Sequence, residues 1–249
     1  MLIETRLDEI LKIVNEKNSI TVQELTELLN ASESTIRRDL TILHKDGKLK
    51  KVHGGATSLS LYHTKDQEIE LRKSLNKDEK LLIVKYAAAL IGPEDFVYID
   101  AGTTTDLLID YITEKNAIYV TNAISHAKKL AQNGCEAHLL GGRFKLTTEA
   151  LVGNLTVNEL EHFNFTKGFF GTNGVTVKQG FTTPDIDEAL VKKKAMQKCK
   201  ECFVLCDFDK FNQISPITFG EFHDATIITT KIARKEYLQY KNIVEVNKV

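Results

Sequence analysis

The sequence predicts an α/β protein in two parts: a small helical domain that ends in a β-hairpin, and a larger domain built on a mainly parallel sheet. The first 56 residues carry three short amphipathic helices and a basic hairpin. From residue 78 onward, apolar strands alternate with helices, which is typical of α/β architecture. The 249 residues suffice for a small domain and a larger one. We predict domains at 1–57 and 77–249, joined by a linker at 58–76.

Three helices are predicted in the first domain. Apolar residues recur at helical spacing over residues 3–15, with charges at the other positions. Thr21 can cap a short second helix, and Asn30 follows that helix as a turn residue. Ser32 can cap the third helix, which Gly47 would end in the left-handed conformation. A short helix, a tight turn and a further helix make up the helix-turn-helix layout.

The exposed face of the third helix combines short hydroxyls with two guanidinium groups. Hydroxyls and backbone amides near a helix N-terminus suit phosphate oxygens, and Arg can also reach the acceptor edge of guanine. Asp39 would repel phosphate, so we interpret it as orienting Arg37, Arg38 or a backbone group through a hydrogen bond. An ordinary amphipathic helix with a solvated face is the alternative. The residues of this helix expected to contact DNA are Ser32, Ser34, Thr35, Arg37 and Arg38.

A basic hairpin, or wing, is predicted after the third helix. Leu49 and Val52 are interspersed with basic residues, and the Gly54-Gly55 pair permits a tight turn. Between residues 34 and 56 there are six Lys or Arg residues against two Asp, whereas the whole chain has a net charge of −1. One compact basic stretch in a nearly neutral protein favours a site-specific DNA-binding protein. The residues expected along the phosphate backbone are Lys48, Lys50, Lys51 and His53.

These motifs resemble the N-terminal domain of DeoR-type bacterial transcriptional repressors. The resemblance is carried by Arg6, Ile10 and Val14 at four-residue spacing, by the T-I-R-R-D-L core at 35–40, and by V-H-G-G-A at 52–56. It implies a DNA-binding repressor that acts as a homo-oligomer, a dimer or a tetramer, because paired recognition helices match repeated half-sites.

The larger domain has small polar turns where its predicted strands end. Strands are predicted at 96–100, 118–121 and 137–140, with helices at 81–90, 124–132 and around 107–112. The D-A-G-T-T-T turn places a glycine and three hydroxyls at a strand-to-helix junction, where backbone amides favour an anion. Ligands of open α/β sheets bind at the carboxyl ends of the strands. Together these turns predict a pocket rich in hydrogen-bond donors that suits a phosphorylated polyol.

The same turns resemble the C-terminal domain of the DeoR-type repressors, which is similar in fold to ribose-phosphate isomerase and the sugar-phosphate deaminases. The resemblance implies a sensor for a phosphorylated sugar. The T-T-P-D and E-A-x-V-K elements look most like the repressors of fructose operons, whose inducer is fructose 1-phosphate. The expected effector-binding residues are Asp100, Gly102, Thr103, Thr104, Asn122, Gly142, Asp185 and Lys192.

Two positions depart from the family pattern. The usual D-S-S-K run is Asp207-Phe208-Asp209-Lys210 here, and Thr230 replaces an acid that is common after the following strand. Both departures could alter which sugar phosphate fits. Arg72, which precedes the larger domain, could reach a ligand or pair with an acid, and we favour the structural role.

An enzyme of the isomerase or deaminase type that carries a DNA-binding head is the alternative function. Asp100, Asp185 and Glu188 could then act as acid or base, but we interpret Glu188 and Lys192 as a helical i, i+4 ion pair. A transcriptional activator also stays open. The four cysteines are expected to be free thiols, and neither a metal nor a cofactor is expected. Without a signal peptide or a membrane-spanning run, we expect a cytoplasmic protein.

Overall fold

The structure is a computed structural model, and it divides the chain into two compact units, Met1–Leu61 and Tyr62–Val249. Gly47, His53 and most of the segment assigned to the linker lie outside the residues that it describes. The described residues are 3–17, 19–46, 48–52, 54–58, 72, 75–230, 232 and 237–246. Within them, no helix is long and apolar enough to cross a bilayer.

The described part of the first unit consists of helices packed against a small antiparallel sheet. The helices are α1 (Ile3–Lys17), α2 (Val22–Leu29) and α3 (Glu33–Lys45), and the strands are β1 (Ser19–Thr21), β2 (Leu49–Val52) and β3 (Gly55–Ser58). The strands lie in the order β1-β3-β2. The apolar faces of the helices meet in one core, in which Ile10, Leu25, Ile36 and Leu40 are fully buried. The predicted wing is therefore part of a sheet that also includes β1.

Both predicted helix caps in this unit are present. The backbone N–H of Glu24 donates to Thr21 Oγ1 over 3.1 Å, and the backbone N–H of Thr21 donates to Glu24 Oε2 over 2.9 Å. This reciprocal arrangement is a capping box, which satisfies two otherwise unpaired donors. Ser32 Oγ accepts from the backbone N–H of Thr35 over 3.3 Å. Asn30 adopts the left-handed conformation, with φ of 45°, between α2 and α3.

The second unit alternates helices and strands through most of its length. Its described helices are α4 (Lys77–Ala88), α5 (Thr103–Ile109), α6 (Ile124–Gln132), α7 (Asn154–Leu160) and α8 (Ile186–Gln197). Its described strands are β4 (Phe96–Ile99), β5 (Ile118–Thr121), β6 (Glu136–Leu139), β7 (Arg143–Lys145), β8 (Ala150–Val152), β9 (Phe165–Gly171), β10 (Gly174–Thr176), β11 (Gly180–Thr183), β12 (Cys199–Leu205), β13 (Ile217–Gly220), β14 (Thr226–Thr229) and β15 (Ile243–Glu245).

A seven-stranded sheet lies at the centre of this unit, in the order β15-β14-β12-β9-β4-β5-β6, with every pairing parallel. Neighbouring side chains alternate between two apolar clusters. Tyr98 and Phe170 belong to one cluster, whereas Ile99 and Phe169 belong to the other. Both faces of the sheet are therefore buried, as parallel sheets require. The predicted fold class, a winged helix-turn-helix domain followed by a larger α/β domain, is confirmed.

The antiparallel additions to this unit were not predicted. Strands β7 and β8 form a separate hairpin, and β10, β11 and β13 form a second antiparallel sheet. The predicted bounds of β5 and α6 are confirmed. However, α5 begins at Thr103, directly after the D-A-G turn, and ends at Ile109. The hydroxyls of that turn therefore lie within the first turn of a helix rather than in a longer loop.

Candidate DNA-binding and effector sites

The N-terminal end of α3 presents polar side chains to solvent. Ser34, Arg37 and Arg38 are exposed. Ser32 Oγ lies 3.0 Å from Ser34 Oγ and 2.8 Å from Thr35 Oγ1, so three hydroxyls cluster where the helix dipole favours an anion. The surface predicted to contact DNA is thus accessible, and the contacts themselves stay a prediction.

Arg37 forms an ion pair along its own helix. Its Nη2 lies 2.5 Å and its Nε 2.9 Å from Glu33 Oε1, and both side chains are more than half exposed. Exposed i, i+4 pairs of this kind contribute only about 0.3–0.5 kcal/mol. A DNA phosphate or a guanine edge can therefore compete with Glu33 for the guanidinium at small cost.

Asp39 pairs with Arg6 of α1, which corrects our expectation that it orients Arg37, Arg38 or a backbone group. It is 1% exposed, and it accepts hydrogen bonds from Arg6 of α1, over 2.5 Å from Nε and 3.3 Å from Nη2. The same interaction raises the pKa of Arg6 through the hydrogen bond to Asp39. Asp39 faces the interior of the unit because α1 supplies a cation there. The ion pair therefore links α3 to α1 and lies away from the exposed arginines.

The basic residues of the wing differ in their surroundings. Lys51 Nζ donates to Thr41 Oγ1 over 2.7 Å and to the carbonyl of Arg37 over 3.4 Å, which ties the hairpin to α3. Lys48 is exposed and Lys50 is half-buried. The fourth predicted residue, His53, lies outside the described residues. Phosphate contact by these residues stays a prediction, and Lys51 would first have to exchange its hydroxyl partner.

A cleft in the second unit opens at the carboxyl ends of three neighbouring strands. The turn at 101–104 follows β4, the turn at 171–173 follows β9, and Leu205 and Asp207 lie at the end of β12; all of them line the cleft. These strands are adjacent in the sheet, so their C-terminal turns converge. This is where open α/β sheets bind ligands.

Basic side chains dominate the charge of the cleft. Those among its described lining residues are Arg72, Lys80, Lys192 and Lys210. Lys80 is 5% exposed, and its Nζ donates to the carbonyl of Arg72 and to Thr103 Oγ1, the latter over 3.4 Å. Burial lowers the pKa of Lys80 to about 8. A bound anion would favour the charged form of this amine, so ligand binding and protonation are coupled there.

Lys192 pairs with Asp100 and not with Glu188, which corrects the predicted helical pair. Lys192 Nζ donates to Asp100 Oδ2 and, over 3.2 Å, to the carbonyl of Gly171. Glu188 instead accepts from Lys145 Nζ over 2.9 Å and from Thr148 Oγ1 over 2.5 Å. Burial raises the pKa of Asp100, and the ammonium of Lys192 opposes that rise. These pairs tie α8 to the end of β4 and to the β7–β8 hairpin.

The predicted effector residues separate into two groups. Gly102, Thr103, Thr104 and Lys192 line the cleft. The other four lie outside its described lining: Asp100, Asn122, Gly142 and Asp185.

Each residue of the second group has a structural partner. Asp100 supports Lys192, as described above. Asn122 Oδ1 accepts from the backbone N–H of Ala101 over 3.0 Å and so fixes the turn at 101–104. A Cβ atom at Gly142 would lie 2.1 Å from Thr156 Oγ1, so this glycine permits close packing. Asp185 caps α8 and pairs with Lys145 over 3.0 Å. Direct contact of these four residues with a ligand stays a prediction.

Sequence reasoning missed part of the cleft. Lys80 and Thr148 line it but were not among the predicted effector residues. Arg72, for which we favoured a structural role, also lines the cleft, and its carbonyl accepts a hydrogen bond from Lys80 Nζ. The usable signal for Lys80 was a lysine in the first turn of the helix that precedes β4, because that helix packs against α5, which begins at the D-A-G turn.

The two departures from the family pattern do not line the cleft. Asp209 accepts from Asn76 Nδ2 over 3.1 Å, and Thr230 Oγ1 donates to Glu79 Oε2 over 3.1 Å. The backbone N–H of Phe208 also approaches Glu79 Oε2, at 3.5 Å. These residues therefore fasten the start of α4, whereas Asp207 and Lys210 of the same run face the cleft.

The cysteines near β12 are arranged as packed thiols. Cys199 Sγ donates to the carbonyl of Ala195 over 3.1 Å, and Cys202 Sγ donates to that of Met196 over 3.5 Å. The hydrogen bond with Cys202 and burial raise the pKa of Cys199 above its ordinary value. A thiol with a raised pKa is a poor nucleophile and a poor ligand. In the part of the chain that the structure describes, no group of three His, Cys, Asp or Glu residues could hold a metal.

Comparison with known protein families identifies the domain type of each unit. Residues 6–61 match the DeoR-like helix-turn-helix domain, and residues 75–231 match the DeoR C terminal sensor domain. The chain belongs to the DeoR family of transcriptional repressors. The predicted resemblance is thereby confirmed for both units.

Full-length relatives agree with membership of the DeoR family. The chain is 42% identical over 251 residues to the uncharacterized HTH-type transcriptional regulator FruR of Bacillus subtilis, covering 100% of both chains. It is 33% identical over 239 residues to the lactose phosphotransferase system repressor of Streptococcus mutans, covering 95% of both. Among solved structures, ribose 5-phosphate isomerase A of Methanocaldococcus jannaschii matches with 16% identity and a TM-score of 0.42 over 55% of each chain.

Proposed function

We propose that this DeoR-family protein represses a sugar-utilisation operon and releases its operator when a phosphorylated sugar occupies the cleft of the second unit. The cleft carries the proposal, because it combines Thr103, Thr104 and the N-terminal amides of α5 with the basic residues Lys80 and Lys210. Backbone amides at a helix N-terminus, together with lysine side chains, are suited to phosphate oxygens. A phosphate bound there would also restore the full charge of Lys80.

Fructose 1-phosphate is the ligand that we propose first. The T-T-P-D and E-A-x-V-K elements, which suggested the fructose subgroup, include Asp185 and Lys192. Lys192 lines the cleft, and Asp185 caps the helix that carries it. Because the departures at Phe208, Asp209 and Thr230 lie outside the lining, they leave the chemistry of the cleft unchanged. These placements support a sugar phosphate of the same class.

We propose that the first unit binds the operator DNA. Ser32, Ser34, Thr35, Arg37 and Arg38 would contact the bases and the adjacent phosphates. The wing residues Lys48, Lys50 and Lys51 would lie along the phosphate backbone. We propose a homo-oligomer, because two recognition helices read repeated half-sites with greater specificity than one. Coupling between effector and DNA of about 1–3 kcal/mol is enough to change operator occupancy 5- to 150-fold.

An enzymatic function is less well supported by the geometry. Asp100 is tied to Lys192, Asp185 caps α8, and Glu188 is held by Lys145 and Thr148. Each carboxylate is therefore already engaged in a structural contact, which leaves it poorly placed for proton transfer. The relatives named above are regulators or repressors by their names.

A binding assay combined with a turnover assay tests the proposal. The full chain should bind fructose 1-phosphate in isothermal titration calorimetry, with at least about tenfold preference over the unphosphorylated sugar, since the phosphate supplies the charged contacts. Incubation with aldose and ketose phosphates should give no conversion detectable by NMR. Substantial conversion would support the enzyme, and failure of every sugar phosphate to bind would refute the sensor.

A further inference from the structure

A second cavity adjoins the cleft across the turn at 101–104. Both are lined by Arg72, Gly102, Thr103 and Thr148. The residues that line only the second cavity are Asp106, Ser125, His126 and Glu149. We name this second cavity the acidic lobe, and the cleft described above the basic lobe. Because the lobes share part of their lining, one ligand can extend from one lobe into the other.

The two lobes differ in the sign of their charge. The basic lobe has three lysines of its own against two carboxylates, Glu188 and Asp207. The acidic lobe has two carboxylates, Asp106 and Glu149, with His126 as its only titratable nitrogen among the described residues that line it alone. Because Arg72 lines both lobes, the difference in charge between them comes from the residues that line one lobe only, and it favours a phosphate dianion in the basic lobe over the acidic lobe.

The partners of Asp106 distinguish it from Glu149. Asp106 Oδ2 lies 3.1 Å from Lys129 Nζ, and its Oδ1 lies 3.8 Å from His126 Nε2. Its charge is therefore partly compensated from α6, and His126, which is 2% exposed, is held beside it. Glu149 is half-buried at the turn of the β7–β8 hairpin. Of the two carboxylates, Glu149 is the one that can be changed without removing an ion pair with α6.

Glu149 is held at the lobe by its surroundings. Its backbone has φ of 53°, a left-handed conformation that side chains other than glycine and asparagine adopt rarely. The preceding residue, Thr148, is fixed by its hydrogen bond to Glu188, and the following residue, Ala150, begins β8. The hairpin therefore presents Glu149 to the cavity in a defined position, although this conformation is unfavourable for glutamate.

We infer that the acidic lobe accepts the unphosphorylated, hydroxyl-bearing end of the sugar and excludes a second phosphate, with Glu149 as a specificity-determining residue. The inference rests on the proposed function, and it narrows the ligand to the sugar monophosphates. Carboxylates and Ser125 Oγ can accept hydrogen bonds from sugar hydroxyls. The same carboxylates face a second phosphate with like charge, and such repulsion is an effective way to reject a competing ligand.

Calorimetry on the full chain, with fructose 1-phosphate and fructose 1,6-bisphosphate as probes, tests the inference. The unaltered protein should prefer the monophosphate by about tenfold or more, because like charges in a shielded cavity cost at least that factor. Glu149→Gln should shift the ratio of bisphosphate affinity to monophosphate affinity about tenfold toward the bisphosphate, because it removes the like charge but keeps an amide oxygen that accepts hydrogen bonds from either sugar. Glu201→Gln, at an exposed site on β12 away from the cleft, is the matched control.

A second variant separates the loss of charge from a folding defect at the hairpin. Glu149→Asn also removes the charge, and asparagine tolerates the left-handed conformation better than glutamine. Both variants should therefore shift the preference in the same direction. Equal affinity of the unaltered protein for the two sugars, or a preference that neither variant changes, would overturn the inference while leaving the proposed function intact. Absence of binding to both sugars would refute the proposed function, and the inference with it.

Discussion

Asp39 of α3 accepts two hydrogen bonds from Arg6 of α1, although the two residues are 33 positions apart. Asp39 is 1% exposed, and the side chain of Arg6 is 15% exposed. The pair joins the proposed recognition helix to the first helix of the unit at a point where both charges are largely withdrawn from water. Removing one partner of such a pair leaves the other uncompensated, which is more disruptive than replacing both.

Changing Asp39 to Ala should lower the melting temperature of the first unit and weaken operator binding about tenfold or more, because α3 loses its anchor to α1. The double variant Arg6→Met/Asp39→Leu should recover most of the melting temperature, since an apolar pair of similar volume carries no buried charge. Thermal melts followed by circular dichroism measure the first effect, and fluorescence anisotropy with operator DNA measures the second. Wild-type melting of Asp39→Ala would contradict an anchoring role.

Changing Arg37 to Ala should abolish specific operator binding while sugar-phosphate binding in the second unit survives. The guanidinium is exposed, and among the residues that the structure describes its side-chain partner is Glu33, so the fold should lose little. Removing a phosphate contact should also lower the slope of log affinity against log salt by about one. Arg143→Ala removes an equally exposed, ion-paired arginine from the second unit and serves as the control. Retained operator affinity at moderate salt would refute the recognition-helix assignment.

Changing Thr103 to Val should leave operator binding intact and raise the inducer concentration that releases operator DNA. Thr103 lines both cavities and begins α5, so its hydroxyl is placed to donate to a phosphate oxygen. Loss of one charge-assisted hydrogen bond should weaken the effector about tenfold or more. Thr113→Val, at an exposed position, controls for the substitution itself. If the inducer still released operator DNA from Thr103→Val at the wild-type concentration, the cleft would not be the effector site.

Effector affinity should fall about tenfold between pH 7 and pH 9, because Lys80, whose pKa burial lowers to about 8, loses its charge over that range. Lys80→Arg should remove the decline, since Arg stays protonated. Lys85→Arg, on the exposed side of the same helix, is the control and should leave the decline with pH unchanged. Calorimetry at three pH values measures the effect, and a pH profile of Lys80→Arg identical to that of the wild type would exclude Lys80 as the titrating group.

The contribution of Lys80 to the free energy of unfolding should rise with pH, whereas effector affinity falls. Its pKa is about 8 in the folded chain against 10.5 for an ordinary lysine, so the unfolded chain binds more protons between these values. Without ligand, the free energy of unfolding of the second unit should therefore gain from Lys80 as pH rises from 8 to 10.5. Urea denaturation of wild type and Lys80→Met across this window isolates the contribution, and a difference that stays constant with pH would contradict it.

Substitution by alanine should destabilise the first unit to different extents at the two glycines of the wing. A Cβ atom at Gly55 would lie 2.1 Å from the carbonyl oxygen of Ile20, so Gly55→Ala must displace β1 from β3. Gly54 has open space around it but a φ of 83°, and Gly54→Ala should cost about 1–2 kcal/mol through backbone strain alone. Urea denaturation of the first unit should show the larger loss for Gly55→Ala. A smaller loss than for Gly54→Ala would contradict the packing of β1 against the wing.

Local signals in the sequence predicted the parts of the fold that local interactions determine. Thr21 and Ser32 act as caps because their hydroxyls lie a few positions from the amides that they satisfy. Ile118–Thr121 and Ile124–Gln132 have their predicted bounds because a compact apolar strand and an amphipathic helix follow each other there.

Contacts between distant residues could not be predicted in the same way. The partner of Asp39 lies on another helix, and Lys192 reaches Asp100 across 92 positions instead of Glu188 four positions away. Burial beside the strand ends, which makes Lys80 a lining residue, depends on how α4 packs. Sequence reasoning therefore located the cleft through its turns and predicted four of its lining residues, whereas the fold identified the others.

Binding of a sugar phosphate in the second unit should control DNA binding by the first. The decisive experiment is a gel-shift assay with the promoter next to this gene, titrated with a panel of sugar phosphates. The full chain should retard this DNA, and a sugar monophosphate, with fructose 1-phosphate the most effective, should release it. Retardation that persists unchanged through the whole panel, or no retardation of this promoter at all, would rule out this control.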